Sequence, residues 1–202
     1  MNHNAISKYL NASQAAVDYI PVDKVHQLAT AMLRTYEKKG NIFIMGNGGS
    51  GATASHVAGD FVKGASFGLE KRFKCICIND NLPALMAIAN DISYEAIFEE
   101  QLKNFASNDD LVIGLSGSGN SANVVNALVW AKSQKILTAA LTGYKGGKCA
   151  EIADISVHIP ISDMEIVEDL HLMVFHSIKR MITLELLGDN PGMGAVYDAR
   201  IR

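Results

Sequence analysis

Two short stretches of this chain gather glycine, serine and asparagine where an apolar run gives way to a helix-compatible one: Gly46-Asn47-Gly48-Gly49-Ser50-Gly51 and Ser116-Gly117-Ser118-Gly119-Asn120-Ser121. Glycines in such a turn let the backbone come close to a ligand, and the free N–H groups at a helix start favour an anion. Ser116, Ser118 and Ser121 add three hydroxyls to the second stretch, so a phosphate can be gripped there without Lys or Arg. A helix cap would use one of them, Ser121 foremost, and leave the others unexplained. The first stretch, Asn47 to Ser50, reads either as a packing turn or as the seat of a polar sugar end. Together the loops predict one pocket for a phosphorylated sugar.

Titratable side chains stand close to both. His56 and Asp60, four apart on the segment after the first loop, share one helical face and can hold one metal or one substrate edge. Near the C-terminus, Glu168, His171 and His176 interrupt an apolar run that contains Leu170, Leu172, Met173, Val174, Phe175 and Ile178. A lone His in such a run reads as a core residue. Glu168 and His176 are roughly 12 Å apart in helix rise, so bringing them together takes long reach, a ligand between them or a second subunit. Asn90-Asp91 reads equally as a helix-capping pair and as a ligand contact.

A nucleotide site competes with the sugar reading. Gly46, Gly48 and Gly51 match Gly-x-Gly-x-x-Gly between a strand and a helix, but the ribose-binding acid expected about 20 residues on is missing, with Asp80 too distant. The serine loop does not end in the Gly-Lys-Ser/Thr of a P-loop, and no nucleotide cofactor is expected.

Placing two such loops together takes strands that end side by side. Five apolar runs read as buried strands: Asn41 to Met45, Lys74 to Asn79, Leu111 to Leu115, Ile136 to Leu141 and Ile155 to Ile159. Helix-compatible segments begin near Ser50, Leu82, Ala122 and Gly147, and this alternation predicts an α/β fold with a five-stranded parallel sheet sandwiched by helices. Two helices precede the sheet, one from about Ala5 to Tyr19 and stopped at Pro21, the other capped by Asp23 and closed at Gly40. A long helix from Met164 to Leu187 ends the core, stopped by Gly188, Pro191 and Gly192. The chain thus reads as one domain over 1–202: N-terminal helices to 40, the core over 41–187, and a tail over 188–202 that is either mobile or crosses to another subunit.

Bulk properties agree with an ordinary globular chain: 202 residues, 49% hydrophobic and 19% charged. A net charge of -3 without any extended basic run argues against nucleic acid and anionic membrane as partners. Neither a secretory leader nor an apolar run of spanning length is seen, which predicts a cytoplasmic protein. Cys75, Cys77 and Cys149 predict no disulfide framework, and the first two read as strand residues on one face, with metal binding the lesser alternative.

Gly-Asn-Gly-Gly-Ser with a following His, and Ser-x-Ser-Gly-Asn-Ser-x-Asn after the third strand, resemble the sugar isomerase (SIS) family and within it the phosphoheptose isomerases. The similarity runs from about residue 20 to 187 and takes in Asn90-Asp91 before the Phe98/Gln101 segment, Leu141-Thr142-Gly143 with Gly146-Gly147, and Glu168-x-x-His171-x-x-x-x-His176. It implies a flavodoxin-like SIS fold in which Asn47, Gly48, Gly49, Asn90 and Asp91 contact the sugar and Ser116, Gly117, Ser118 and Ser121 hold the phosphate. It also implies a zinc site from His56, Asp60, Glu168 and His176, a donor set that suits iron or manganese too. The family usually has Glu at the position of Asp60 and Gln at that of Glu168.

By that resemblance Asp60 is the base and His176 the acid of an aldose-ketose isomerase acting through an enediol on sedoheptulose 7-phosphate. Asp is one methylene shorter than Glu, so either the backbone lies nearer or Glu168 takes the base role. A homotetramer with sites at subunit contacts is implied as well. The alternatives are a non-catalytic SIS module that senses phosphosugars or binds DnaA, and an isomerase of another sugar phosphate.

Overall fold

The computed structural model describes residues 3–188; Pro191, Gly192 and the tail expected beyond them lie outside the described residues. Five parallel strands, β1 (Asn41–Gly46), β2 (Lys74–Cys77), β3 (Leu111–Ser116), β4 (Leu137–Thr142) and β5 (Ile155–His158), form one sheet in the order β2-β1-β3-β4-β5. Each matches a run expected from the sequence. Pairing is in register from Ile42 with Leu111 to Gly46 with Leu115, and from Leu111 with Leu137 to Ser116 with Thr142.

Among the described residues eight α-helices accompany the sheet: α1 (His3–Ala16), α2 (Val22–Glu37), α3 (Gly48–Gly59), α4 (Leu82–Asp91), α5 (Glu99–Phe105), α6 (Ala122–Ser133), α7 (Gly147–Ile152) and α8 (Met164–Leu187), with α1 lying against α8. Alternation along the strands divides the core. Ile42 and Ile44 of β1, with Leu111, Ile113 and Leu115 of β3, join Leu28 and Met32 of α2, Val57 of α3, and Val174 and Phe175 of α8. Phe43, Met45 and Val112 point the other way, against Phe98 and Leu102 near α5 and Val124 and Leu128 of α6.

Three local expectations are changed by the structure. Pro21, not Asp23, stands at the start of α2, where its carbonyl accepts from Lys24 and Val25 and no side chain caps the helix; Asp23 falls in the first turn. β2 leaves the ladder at Cys77, because the Asn79 side chain takes over the pairing: its Nδ2 donates to Gly46 O at 2.6 Å and its Oδ1 accepts from Gly46 N. At Asp60, α3 widens into a π-helical turn over Asp60–Ala65, a local form often met at functional sites. Cys75 and Cys77 both face the core as expected, free and buried; burial pushes the Cys77 thiol up to about 11 and Cys149 to about 12, so both stay protonated.

The strand order reverses between β1 and β3, each of which runs outward from that pair to a different flank. In an open parallel sheet a ligand lies beyond the carboxyl ends of the strands at such a switch. The two loops picked out by their composition follow β1 and β3.

Candidate active site

Asn47 is extended at the start of α3 and Gly48 turns left-handed, with φ 52°, so the chain reverses sharply and Gly48, Gly49 and Ser50 form the first turn. The N–H groups of a first helical turn have no partner within the helix. Across the switch, Ser116 ends β3, Gly119 is left-handed with φ 69°, and Ser121 stands at the start of α6.

Ser121 makes no side-chain cap bond. Its Oγ lies instead 3.0 Å from Ser116 Oγ, while Ser118 Oγ accepts from Asn120 N at 3.2 Å. The hydroxyls therefore sit in the loop rather than being consumed by the helix end. Gly117 and Gly119 bond to the next loop, their carbonyls accepting from Gly143 N and Cys149 N at 2.9 Å, which pins the cradle from behind.

The two loops enclose one cavity of about 260 Å³, lined by Asn47, Gly48, Gly49, Ser50, Leu115, Ser116, Gly117, Ser118, Ser121, Met164 and Glu168. None of these is Lys or Arg. Donors come from hydroxyls, one amide and helix-start N–H groups, a set that binds an anion by hydrogen bonds. The one ionisable wall is Glu168, whose carboxylate lies so close over Gly49 that a methyl group there would overlap it.

His56, Asp60 and His176 come together elsewhere on α3 and α8. His56 Nε2 is 3.2 Å from His176 Nε2, and Asp60 Oδ2 is 3.7 and 3.6 Å from the two nitrogens. Three donors around one tetrahedral zinc ion, bonded at about 2.0–2.1 Å, would be spaced by about 3.3 Å. The spacing and the donor chemistry both fit such an ion, with a coordination position left open. Asp60 Oδ1 is held by Lys179 Nζ at 3.0 Å.

Of the four residues expected to bind metal, the structure thus brings three together, and Glu168 belongs to the cavity, two turns earlier on α8. Asn90 and Asp91 are the last residues of α4, exposed and bonded to each other at 2.7 Å, and they do not line the cavity. His171 is fully buried, and among the described residues neither of its ring nitrogens has a hydrogen-bond partner. Burial pushes its pKa down to about 4, so the ring is neutral.

Three supporting residues went unnoticed at the sequence level. Lys179 lies one turn beyond His176, a spacing that was readable; Asn123 is the last residue of the serine motif and pairs with Asn47; Tyr94 donates its O–H to Asn47 Oδ1.

The SIS domain model matches residues 8–143. Over 167 residues, 82% of this chain and 86% of the relative, the sequence is 37% identical to the phosphoheptose isomerase of Aliarcobacter butzleri. The phosphoheptose isomerase of Neisseria gonorrhoeae superposes with a TM-score of 0.82 at 28% identity, covering 89% of this chain and 97% of that one. That of Francisella tularensis, at 24% identity and a TM-score of 0.84 over 91% and 99% of the two chains, shares the fold. The chain belongs to the SIS-domain family and, within it, to the phosphoheptose isomerases.

Proposed function

We propose that this chain interconverts sedoheptulose 7-phosphate and D-glycero-D-manno-heptose 7-phosphate. The observation that carries this reading is the single cavity with serine hydroxyls on one loop and a carboxylate, Glu168, lying over the other. The relatives named phosphoheptose isomerase supply the sugar class.

Moving the carbonyl from C2 to C1 requires a base to take a proton from C1 while a proton reaches O2, giving a 1,2-enediol, and then a proton to return at C2 while the O1 hydroxyl loses its own. Ser116, Ser118 and Ser121 hold the phosphate, and the Gly48–Ser50 turn receives the sugar. Glu168 takes the proton from C1, because it is the carboxylate that faces the cavity. Asp60 has one oxygen on Lys179 and the other toward two imidazoles, which suits a ligand better than a base. His176 is then the second ligand and His56 the third. Zinc, when bound there, would supply a Lewis acid for the sugar oxygens that gain charge in the enediolate.

We further infer a homotetramer, supported by α4, an apolar helix with no buried residue and with Leu82 and Met86 exposed, as is Ile92 just beyond its end. A second subunit could also bring Asn90 and Asp91 to a neighbouring cavity; solution mass tests the assembly. The free buried thiols and the phosphorylated substrate support a place in the cytoplasm.

The direct test is incubation of the purified protein, with and without added zinc, with sedoheptulose 7-phosphate. Formation of the aldoheptose phosphate is expected, and a Glu168→Gln variant should bind the sugar without converting it. No aldose product under either condition would sink the assignment; full turnover by the Glu168 variant would return the base role to Asp60.

A further inference from the structure

Asn47 is tied across the switch point to α6 by a closed pair of amide hydrogen bonds. Its Nδ2 donates to Asn123 Oδ1 at 2.8 Å, and Asn123 Nδ2 donates back to Asn47 Oδ1 at 2.9 Å. The direction of this pair is imposed from outside it. The backbone N–H of Val124 donates to Asn123 Oδ1 at 2.9 Å. A main-chain N–H can face only the oxygen of an amide, so Asn123 is fixed, its nitrogen meets Asn47, and Asn47 must answer with its oxygen.

Tyr94 completes the arrangement, its O–H donating to Asn47 Oδ1 at 3.0 Å. Both lone pairs of that oxygen are then engaged, whereas one of the two Nδ2 hydrogens stays outside the pair. Asn47 lines the cavity, but Asn123 is only 1% exposed and lies behind it.

We propose that Asn123, aided by Tyr94, is a positioning residue that makes Asn47 a donor-only contact, so that the pocket at this point takes a sugar oxygen by its lone pair. A carbonyl, hydroxyl or enediolate oxygen satisfies the free N–H; an ammonium group in the same place, as in an amino sugar phosphate, meets a donor facing a donor and is refused. The inference rests on the reading of the cavity as a phosphosugar site, but not on turnover.

A double-mutant cycle tests it, read as Kd for sedoheptulose 7-phosphate by calorimetry. Asn123→Asp and Tyr94→Phe are each measured in the parent and in an Asn47→Ala background. At about pH 8, Asn123→Asp should weaken binding about tenfold and Tyr94→Phe about threefold in the parent, and each less than about twofold once Asn47 is gone, because both act through it. The Asn123→Asp loss, relative to the parent at the same pH, should shrink near about pH 5.5, where a protonated carboxyl again offers a donor to Asn47 Oδ1. A merely structural role would give the same loss in both backgrounds and no such recovery.

Equal losses in both backgrounds, or none in the parent, would overturn the proposal. If Asn123→Asp does not fold, the Tyr94→Phe arm decides, since that ring is half exposed. A parent that binds the sugar without converting it refutes the isomerase reading and leaves this cycle readable; a parent that does not bind it refutes both.

Discussion

Lys179 Nζ stands 3.0 Å from Asp60 Oδ1, and the other Asp60 oxygen faces the Nε2 atoms of His56 and His176. The lysine thus fixes the rotamer of a carboxylate one methylene shorter than the glutamate usual in the family. Asp60 reaches the imidazoles because α3 opens into its π-helical turn at this residue and α8 lies alongside.

Lengthening the side chain should therefore harm the site rather than restore it. Asp60→Glu is expected to lower both zinc retention and turnover about tenfold, since the extra methylene carries the carboxylate off Lys179 and past the imidazoles; the ion pair alone accounts for ~1 kcal/mol. Adding Lys179→Met should then make little further difference, because the contact is already broken. Competition against a chelator, alongside the isomerase assay, measures both effects. A more active Asp60→Glu enzyme would show that Lys179 is not what sets this carboxylate.

Gly49→Ala places a methyl group onto the Glu168 carboxylate, whose atoms are its three nearest neighbours. Displacing a reacting group by about 1 Å can reduce turnover about a hundredfold. That loss is expected in kcat with an unchanged melting temperature, and phosphate affinity should hold. An unaffected kcat would remove Glu168 from the chemistry.

The serine hydroxyls should act on affinity. Hydrogen bonds to a charged group contribute about 1.5–3 kcal/mol each, so Ser118→Ala and Ser121→Ala are each expected to raise KM by roughly ten- to a hundredfold with a smaller change in kcat. Ser121→Ala leaves α6 intact because that hydroxyl does not cap it. If helix stability falls instead and KM does not move, the capping reading of Ser121 was correct.

Much of this arrangement was legible in the sequence, for physical reasons that can be named. β3, with every residue from Leu111 to Ser116 buried, reads as a continuous run, and Gly188 marks the end of α8, while the cap at its start, Asp163 accepting from Ile166 N, was not picked out. The loops declared themselves because glycines take the left-handed turns at Gly48 and Gly119, the second with no room for a side chain against Gly146, and because hydroxyls without a cap duty remain around Ser116. What could not be read was which carboxylate goes where. Glu168 and Asp60 carry the same chemistry, and it is the close approach of α8 to Gly49, a property of helix packing, that assigns Glu168 to the cavity. Asn123 escaped for a related reason: its partner lies 76 residues earlier, and nothing local signals the pair.

The final prediction concerns His171, which interrupts the apolar face of α8 without joining either site. Its ring and the Thr142 hydroxyl are buried without a well-formed hydrogen bond among the described residues, and burial, opposed by a smaller upward pull from the Thr142 backbone, pushes the imidazole down to about 4 from an ordinary value near 6.5. Above about pH 6.5 the ring is neutral in the folded and unfolded chain alike, and it adds no pH dependence. Below that, the unfolded chain takes up a proton that the folded one refuses, so stability falls by up to about 1.4 kcal/mol per pH unit until the folded ring also protonates near 4, a total on the order of 3 kcal/mol. His171→Phe removes this titration; any packing change it brings shifts stability by the same amount at every pH and cancels from the slope. Urea unfolding at fixed protomer concentration, with chelator present so that metal binding does not contribute, should therefore show a shallower decline between pH 6.5 and 4 in the variant. Parallel declines in the two proteins would mean that His171 finds a partner in solution, with a water between it and Thr142 the simplest one.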